Sequence, residues 1–278
     1  IQSGEHGPMA QVTAGIDLAL WDLCARRAGQ PLWRYLGGRQ DSVPVYASGI
    51  NPDAPEATVA AKRDEGYRAF KLKVGFGEER DIRNVAVVRE LLGPDVPLMV
   101  DANQGWGIAE ATRMAARLRS FDLGWLEEPL RADRPWSEWQ ELASATAIPL
   151  AGGENLLGED AFKAAVDCGA VAVLQPDLAK WGGISGCWPA IGRARREGVR
   201  YCPHFLGGGI GLLASAHVLA AAGGDGLLEI DANPNPLRTV LSGPLARIVD
   251  GACTLGDAPG LGLAPDLREL AEVAARGC

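Results

Sequence analysis

Short apolar runs, each carrying an acidic, basic or imidazole side chain at or near its end, recur along two thirds of the chain. They are AFKLKVG with Lys71 and Lys73, PLMVDAN with Asp101, GWLEEP with Glu127, IPLAGGEN with Glu154, VAVLQPD with Asp177, VRYCPH with His204 and LLEID with Glu229. The runs are short, continuous and mostly rich in β-branched or aromatic residues, which is the pattern of strands buried on both faces. VPVYASG at 43–49 adds one more strand at the front, giving eight. Between them lie helix-length segments such as ERDIRNVAVVRELLG, IAEATRMAARLRSF and GLLASAHVLAAAGG, with apolar residues at helical spacing and several closed by glycine. The alternation predicts an α/β fold, either a parallel barrel or a doubly wound sheet. Successive polar residues lie roughly 23 to 28 positions apart. That is one strand, one helix and two loops in a barrel of about 250 residues, where the C-terminal strand ends converge on one mouth.

Composition narrows the partners. The 278 residues carry a net charge of −8, which argues against nucleic acid. There is no run of 18 or more uncharged apolar residues and no signal-peptide pattern, so no membrane partner and a soluble, cytoplasmic protein are expected. The six cysteines, Cys24, Cys168, Cys187, Cys202, Cys253 and Cys278, are scattered without a CxxC and read as reduced thiols.

Asp101, Glu127 or Glu128, and Glu154 end three consecutive predicted strands. Three carboxylates in one barrel mouth repel unless a cation neutralises them, and an all-oxygen set suits Mg²⁺ better than zinc. Glu127 and Glu128 would point to opposite faces of their strand, so one of them is a ligand. On this reading Mg²⁺ should stabilise the fold. Lys71 and Lys73 flank Leu72, so both ammonium groups project to the same side of the second strand, where each should lower the other's pKa and ready a general base. Asp177 is placed to hold one ring nitrogen of His204. His217 reads as packing within a helix, and His6 lies near the N-terminus. Gly207, Gly209 and Gly211, with Glu229 further on, imitate a dinucleotide fingerprint, but the spacing is GxGxG. These glycines fit close backbone approach at the mouth or helix N–H groups facing an anion.

The order KLK, VDAN, LEEP, GEN, PDLAKWGG, PHFLGGG and LEID resembles the enolase superfamily, specifically its mandelate racemase subgroup, over nearly all of 43–232, and AGIDLALWDLCARRAGQPLWRYLGG before it fits as well. The resemblance implies a modified TIM barrel of (β/α)7β type with a partial α+β capping domain made from both chain ends. The expected division is a helical remnant of the cap at 1–42, the barrel at 43–232 and a tail returning to the cap at 233–278. It implies Mg²⁺ on Asp101, Glu127 and Glu154, with the substrate a small-molecule carboxylic acid. Lys73 would be the base on one face, with Lys71 lowering its pKa and touching the carboxylate. His204, poised by Asp177, would stand on the other face, and Glu229 would hydrogen bond the enediolate oxygen. The muconate lactonizing and dipeptide epimerase subgroups have a lysine where Asp177 stands; here a lysine follows three residues later as Lys180. Members often form symmetric homo-oligomers.

The implied reaction is Mg²⁺-dependent abstraction of the proton α to a carboxylate, leading to dehydration of a sugar acid or related hydroxy acid. Racemisation or epimerisation of a 2-hydroxy or amino acid is the alternative. Asn103, and also Gln104, Asn155 and Asn233, could address substrate hydroxyls or serve as turn and cap residues. Because the chain begins inside the capping domain, at its helices, an inactive or truncated barrel with a structural role is the contrasting expectation.

Overall fold

The computed structural model describes residues 7–276. His6 and Cys278 lie outside them, and the other five cysteines are free thiols. The chain enters through helix α1 (Pro8–Arg27) and the short α2 (Leu32–Tyr35), then alternates strand and helix. The order is β1 (Ser42–Ile50), α3 (Pro55–Asp64), β2 (Phe70–Lys73), α4 (Glu78–Leu92), β3 (Leu98–Asp101), α5 (Ile108–Leu118), β4 (Leu126–Glu127) and α6 (Trp136–Ala145). It continues with β5 (Leu150–Gly152), α7 (Glu159–Asp167), β6 (Val173–Leu174), α8 (Gly183–Arg196), β7 (Arg200–Tyr201), α9 (Gly209–Ala222) and β8 (Leu228–Asp231). A five-residue helix α10 (Pro236–Val240), strand β9 (Ala252–Thr254) and α11 (Leu267–Arg276) complete it.

Strands β1 to β8 are parallel neighbours in chain order, and β1 pairs with both β2 and β8. Seven full helices alternate with the eight strands, the (β/α)7β arrangement. No ladder joins β7 to β8 among the described residues; instead the Leu227 N–H reaches Cys202 Sγ at 3.4 Å across that seam. β9 runs antiparallel to β1. Residues 256–263 lie on the N-terminal helices, where Leu261 N–H donates to Asp22, Arg26 to the Leu263 carbonyl and Trp33 to the Gly256 carbonyl. Among the described residues no helix is long and apolar enough to cross a membrane.

Two cores form. The larger fills the shell between strands and helices, and a smaller one plugs the barrel with Tyr46, Met99, Trp125, Val173 and Cys202. Tyr46 and Trp125 meet edge to face at 5.4 Å, a geometry worth about 0.5–1.5 kcal/mol beyond the area buried.

Several ladders are shorter than the apolar runs suggest: β4, β6 and β7 hold two residues each. Pro176 and Pro203 have no N–H to continue β6 and β7. Gly153 leaves β5 with φ +136°, where a Cβ would stand 2.9 Å from the Gln175 nitrogen. Glu154, Asp177 and His204 therefore sit two or three residues beyond the ladder, in loops, rather than at its last rung.

Candidate active site

The parallel register places Lys73, Asp101 and Glu127 side by side, because Lys73 pairs with Asp101 and Asp101 with Glu127. Neighbours in a ladder project to the same face, here the barrel interior. Glu229 lies opposite Tyr46 across the β8–β1 pairing, and the loops carry Glu154, Asp177 and His204 inward above it. Asp101, Glu127, Glu154, Asp177, His204, Glu229 and Lys71 are all buried. Asn103 follows Asp101 in a left-handed turn at φ 43°, exposed at the mouth.

Each of the three expected ligand acids is turned onto a cation. Lys73 Nζ is 2.6 Å from Asp101, Lys71 Nζ is 2.5 Å from Glu127, and His204 Nε2 is 3.0 Å from Glu154. Lys180 Nζ also donates to Glu154, at 3.0 Å. Consequently no three His, Cys, Asp or Glu residues converge as a ready cation cage among the described residues. The expectation of three uncompensated carboxylates is corrected: side chains of the site itself compensate them in part.

The balance is incomplete. Six buried carboxylates, Asp101, Glu127, Glu128, Glu154, Asp177 and Glu229, face Lys71, Lys73, Lys180 and His204. With all six ionised and the imidazole charged, two negative charges remain, the charge of one divalent cation. Burial, against the pull of Lys71, pushes the Glu127 carboxyl above the usual range, and burial with the charge of Glu154 does the same to Glu128. Hard oxygen donors under mutual repulsion are a chemical fit for Mg²⁺.

Lys71 departs from expectation. Burial alone would depress its pKa, but Glu127 and Glu229 outweigh burial and hold the ammonium well above its ordinary value. It is a fixed positive charge, 2.7 Å from Glu229, rather than a lysine poised to lose its proton. Glu229 also accepts from Ser48 Oγ at 2.5 Å and the Phe205 N–H at 3.0 Å. Burial opposes its ionisation, yet Lys71 and His204 bring its pKa down to about 2. An ionised carboxylate only accepts, so any hydrogen bond from Glu229 to a substrate oxygen requires it to take up a proton first.

His204 is clamped at both ring nitrogens, with Nδ1 2.7 Å from Asp177 Oδ2 and Nε2 on Glu154. Against burial, Glu229 and Glu154 raise its pKa well above the ordinary value. The same contacts hold the Glu154 carboxyl low, since His204 and Lys180 outweigh its desolvation.

Strand alternation does not carry past Glu127 to Glu128. The strand stops there and Glu128 has φ 40°, which turns it into the mouth, where Asn155 Nδ2 lies 2.9 and 3.0 Å from its two oxygens. Sequence reading also missed Gln175 and Trp125, which donate to Glu127 Oε2 at 2.6 and 2.9 Å, and Ser48. The signal for Ser48 and Gln175 was a lone polar residue within an apolar run. Gln104 and Asn233 are used locally, Gln104 accepting from the Ala132 N–H and Asn233 donating to the Gly49 carbonyl and Asp231. The glycines after β7 serve close approach: a Cβ at Gly209 would stand 2.1 Å from the Leu241 carbonyl oxygen, and Gly207 and Gly211 pack on the Phe205 ring.

Residues 55–270 match the family model described as enolase C-terminal domain-like, and residues 6–37 match the mandelate racemase / muconate lactonizing enzyme N-terminal domain. The chain belongs to the mandelate racemase/muconate lactonizing enzyme family of the enolase superfamily. Within that family, a crystal structure from Bordetella bronchiseptica RB50 is 60% identical and superposes with a TM-score of 0.95, over 98% of this chain and 76% of that one. D-galactarolactone cycloisomerase of Agrobacterium fabrum is 37% identical over 94% of this chain and 73% of its own length. An L-talarate dehydratase structure from Polaromonas sp. JS666, complexed with Mg and L-glucarate, is 32% identical with a TM-score of 0.81, over 94% of this chain and 72% of that one.

Proposed function

We propose that this family member is a Mg²⁺-dependent enzyme that removes the proton α to the carboxylate of a sugar acid and expels the β-oxygen, a dehydratase of acid sugars. The observation that supports the reading is the pairing at the mouth: Lys73 from β2 and His204 from the loop after β7 each lie within hydrogen-bond distance of an acid of the three-carboxylate set. Asp101, Glu127 and Glu154 would hold Mg²⁺, which when bound supplies electrostatic stabilisation for the negative charge that develops as the α-proton leaves. Lys73, released from Asp101 and as the neutral amine, takes that proton and becomes an ammonium. Lys71, a permanent cation, faces the substrate carboxylate. His204, its ring fixed through Nδ1 by Asp177, then protonates the departing β-hydroxyl, which leaves as water. The resulting enol tautomerises to a 2-keto-3-deoxy acid. Asn103, exposed and without a side-chain partner among the described residues, addresses a substrate hydroxyl. The relatedness to a cycloisomerase supports the same first step, with a ring oxygen as the alternative leaving group.

The test is proton NMR in D₂O with Mg²⁺ over a panel of aldaric and aldonic acids and their lactones, including galactarate, L-talarate and D-galactarolactone. Loss of the α-proton signal with a 2-keto-3-deoxy product is expected. Exchange with every hydroxyl retained would replace dehydration by racemisation or epimerisation. No exchange with any acid would overturn the catalytic reading in favour of a structural role.

The proposal keeps a homo-oligomer in a cytoplasmic setting. A stripe of exposed apolar residues along α1, Met9, Val12, Ile16, Leu20 and Leu23, supports the first, and the free thiols support the second. Light scattering that shows only monomer would remove the oligomer.

A further inference from the structure

Among the described residues, Lys180 is a cation on the site's carboxylates to which the proposed reaction gives no task. It lies in the turn after β6, three residues past Asp177, with its side chain 35% exposed. Its backbone and its side chain act on different acids. The Lys180 N–H donates to Asp177 Oδ1 at 3.1 Å, beside the Ala179 N–H at 2.8 Å. The ammonium donates to Glu154 Oε1 at 3.0 Å, which also takes the Asn155 amide at 3.2 Å. The far oxygens of these two carboxylates hold His204: Asp177 Oδ2 on Nδ1 and Glu154 Oε2 on Nε2. One residue thus secures the outer oxygen of both acids whose inner oxygens grip the imidazole.

The two grips have different fates in a reaction that uses His204. Asp177 must stay, because it sets which way the ring faces. Glu154 must release Nε2 so that this nitrogen can reach substrate, and in the metal-free protein a second positive charge on its carboxylate favours that release. The Lys180 ammonium supplies that charge on the opposite oxygen. A neutral side chain there would leave Glu154 to compete for His204.

We infer that Lys180 is a positioning residue that frees His204 for chemistry by holding Glu154 from the far side while its own turn fixes Asp177. The inference rests on the proposed use of His204. It also makes a claim about the ring that can be read without substrate.

The test uses the full chain labelled with ¹⁵N in its histidines, of which there are three, as wild type, K180M and K180R. Unchanged melting shows that each variant folds. In K180M both ring nitrogens of His204 are expected to shift as Glu154, left without the Lys180 ammonium, tightens its existing contact with Nε2, with His217 unmoved as the internal control and K180R returning toward wild type. Unmoved His204 resonances in K180M would overturn the inference. The second measurement is α-proton exchange of galactarate in D₂O with Mg²⁺. Its maximal rate is expected to fall about tenfold to a hundredfold in K180M, with KM changed far less, and to recover in K180R. A rate that K180M leaves intact would overturn the inference as well. Absence of exchange in the wild type would instead count against dehydration of this acid, while the ring resonances still decide the role of Lys180.

Discussion

His204 and His217 are both buried, and both hold Nδ1 in a single defined hydrogen bond, yet their surroundings drive them in opposite directions. His204 lies inside the barrel mouth among Asp177, Glu154 and Glu229, and is held charged. His217 lies in the outer shell on α9, where Nδ1 accepts the Trp33 N–H at 3.0 Å and desolvation lowers its pKa to about 4. Burial is common to the two, so burial does not decide the charge of a histidine. The neighbouring charges do, and they come from β8 and from loops brought together by the barrel rather than from residues adjacent in sequence.

Substitution should separate the two sites most sharply in rate. His204→Asn removes the imidazole that can give or take a proton, so dehydration is expected to fall by about 10² to 10⁴. His217→Asn retains an acceptor for the Trp33 N–H and touches nothing in the mouth, so turnover by the folded protein should stay near wild type. Steady-state kinetics on whichever acid the NMR screen identifies checks both. Comparable losses in the two variants would show that the mouth is not the seat of the chemistry.

Charge inside the barrel should also matter to stability. Lys71→Met removes the ammonium shared by Glu127 and Glu229 and leaves both carboxylates buried against one another. Breaking a buried pair from one side costs about 3–5 kcal/mol, which urea unfolding in the absence of Mg²⁺ would register as a lower midpoint. A variant as stable as wild type would mean that the acids lose their charge without penalty.

Much of this architecture was legible in the sequence because buried parallel strands write continuous apolar runs and their helices write a 3.6-residue period. The eight strands and the inward placement of Lys71, Lys73, Asp101 and Glu229 follow from those patterns. What lies beyond the ladders was not legible. Glu128 turns inward through a left-handed backbone that strand alternation does not anticipate. The pairing of Asp101 with Lys73, of Glu127 with Lys71, and of Glu154 with both His204 and Lys180 depends on side-chain reach across strands and loops. The raised pKa of Lys71 depends on counting acids contributed by β4 and β8, not on the lysine two residues away.

The smallest expected effect concerns pH, and it belongs to the shell rather than to the site. In the unfolded chain His217 titrates near 6.5, whereas the folded shell holds it to about 4. The folded protein therefore binds fewer protons between these values, and the contribution of His217 to stability is complete above pH 6.5 and lost progressively as pH falls toward 4. The difference corresponds to about 3 kcal/mol. Carboxylates elsewhere also titrate in this range, so the quantity to measure is the difference between wild type and His217→Asn in urea midpoints at pH 7 and pH 4. Wild type should lose about 3 kcal/mol more than the variant over that interval. Equal losses would mean that the shell admits water or a counter-charge to His217. The contrast between a histidine governed by neighbouring acids and one governed by desolvation would then fail on the side where the structure draws it most simply.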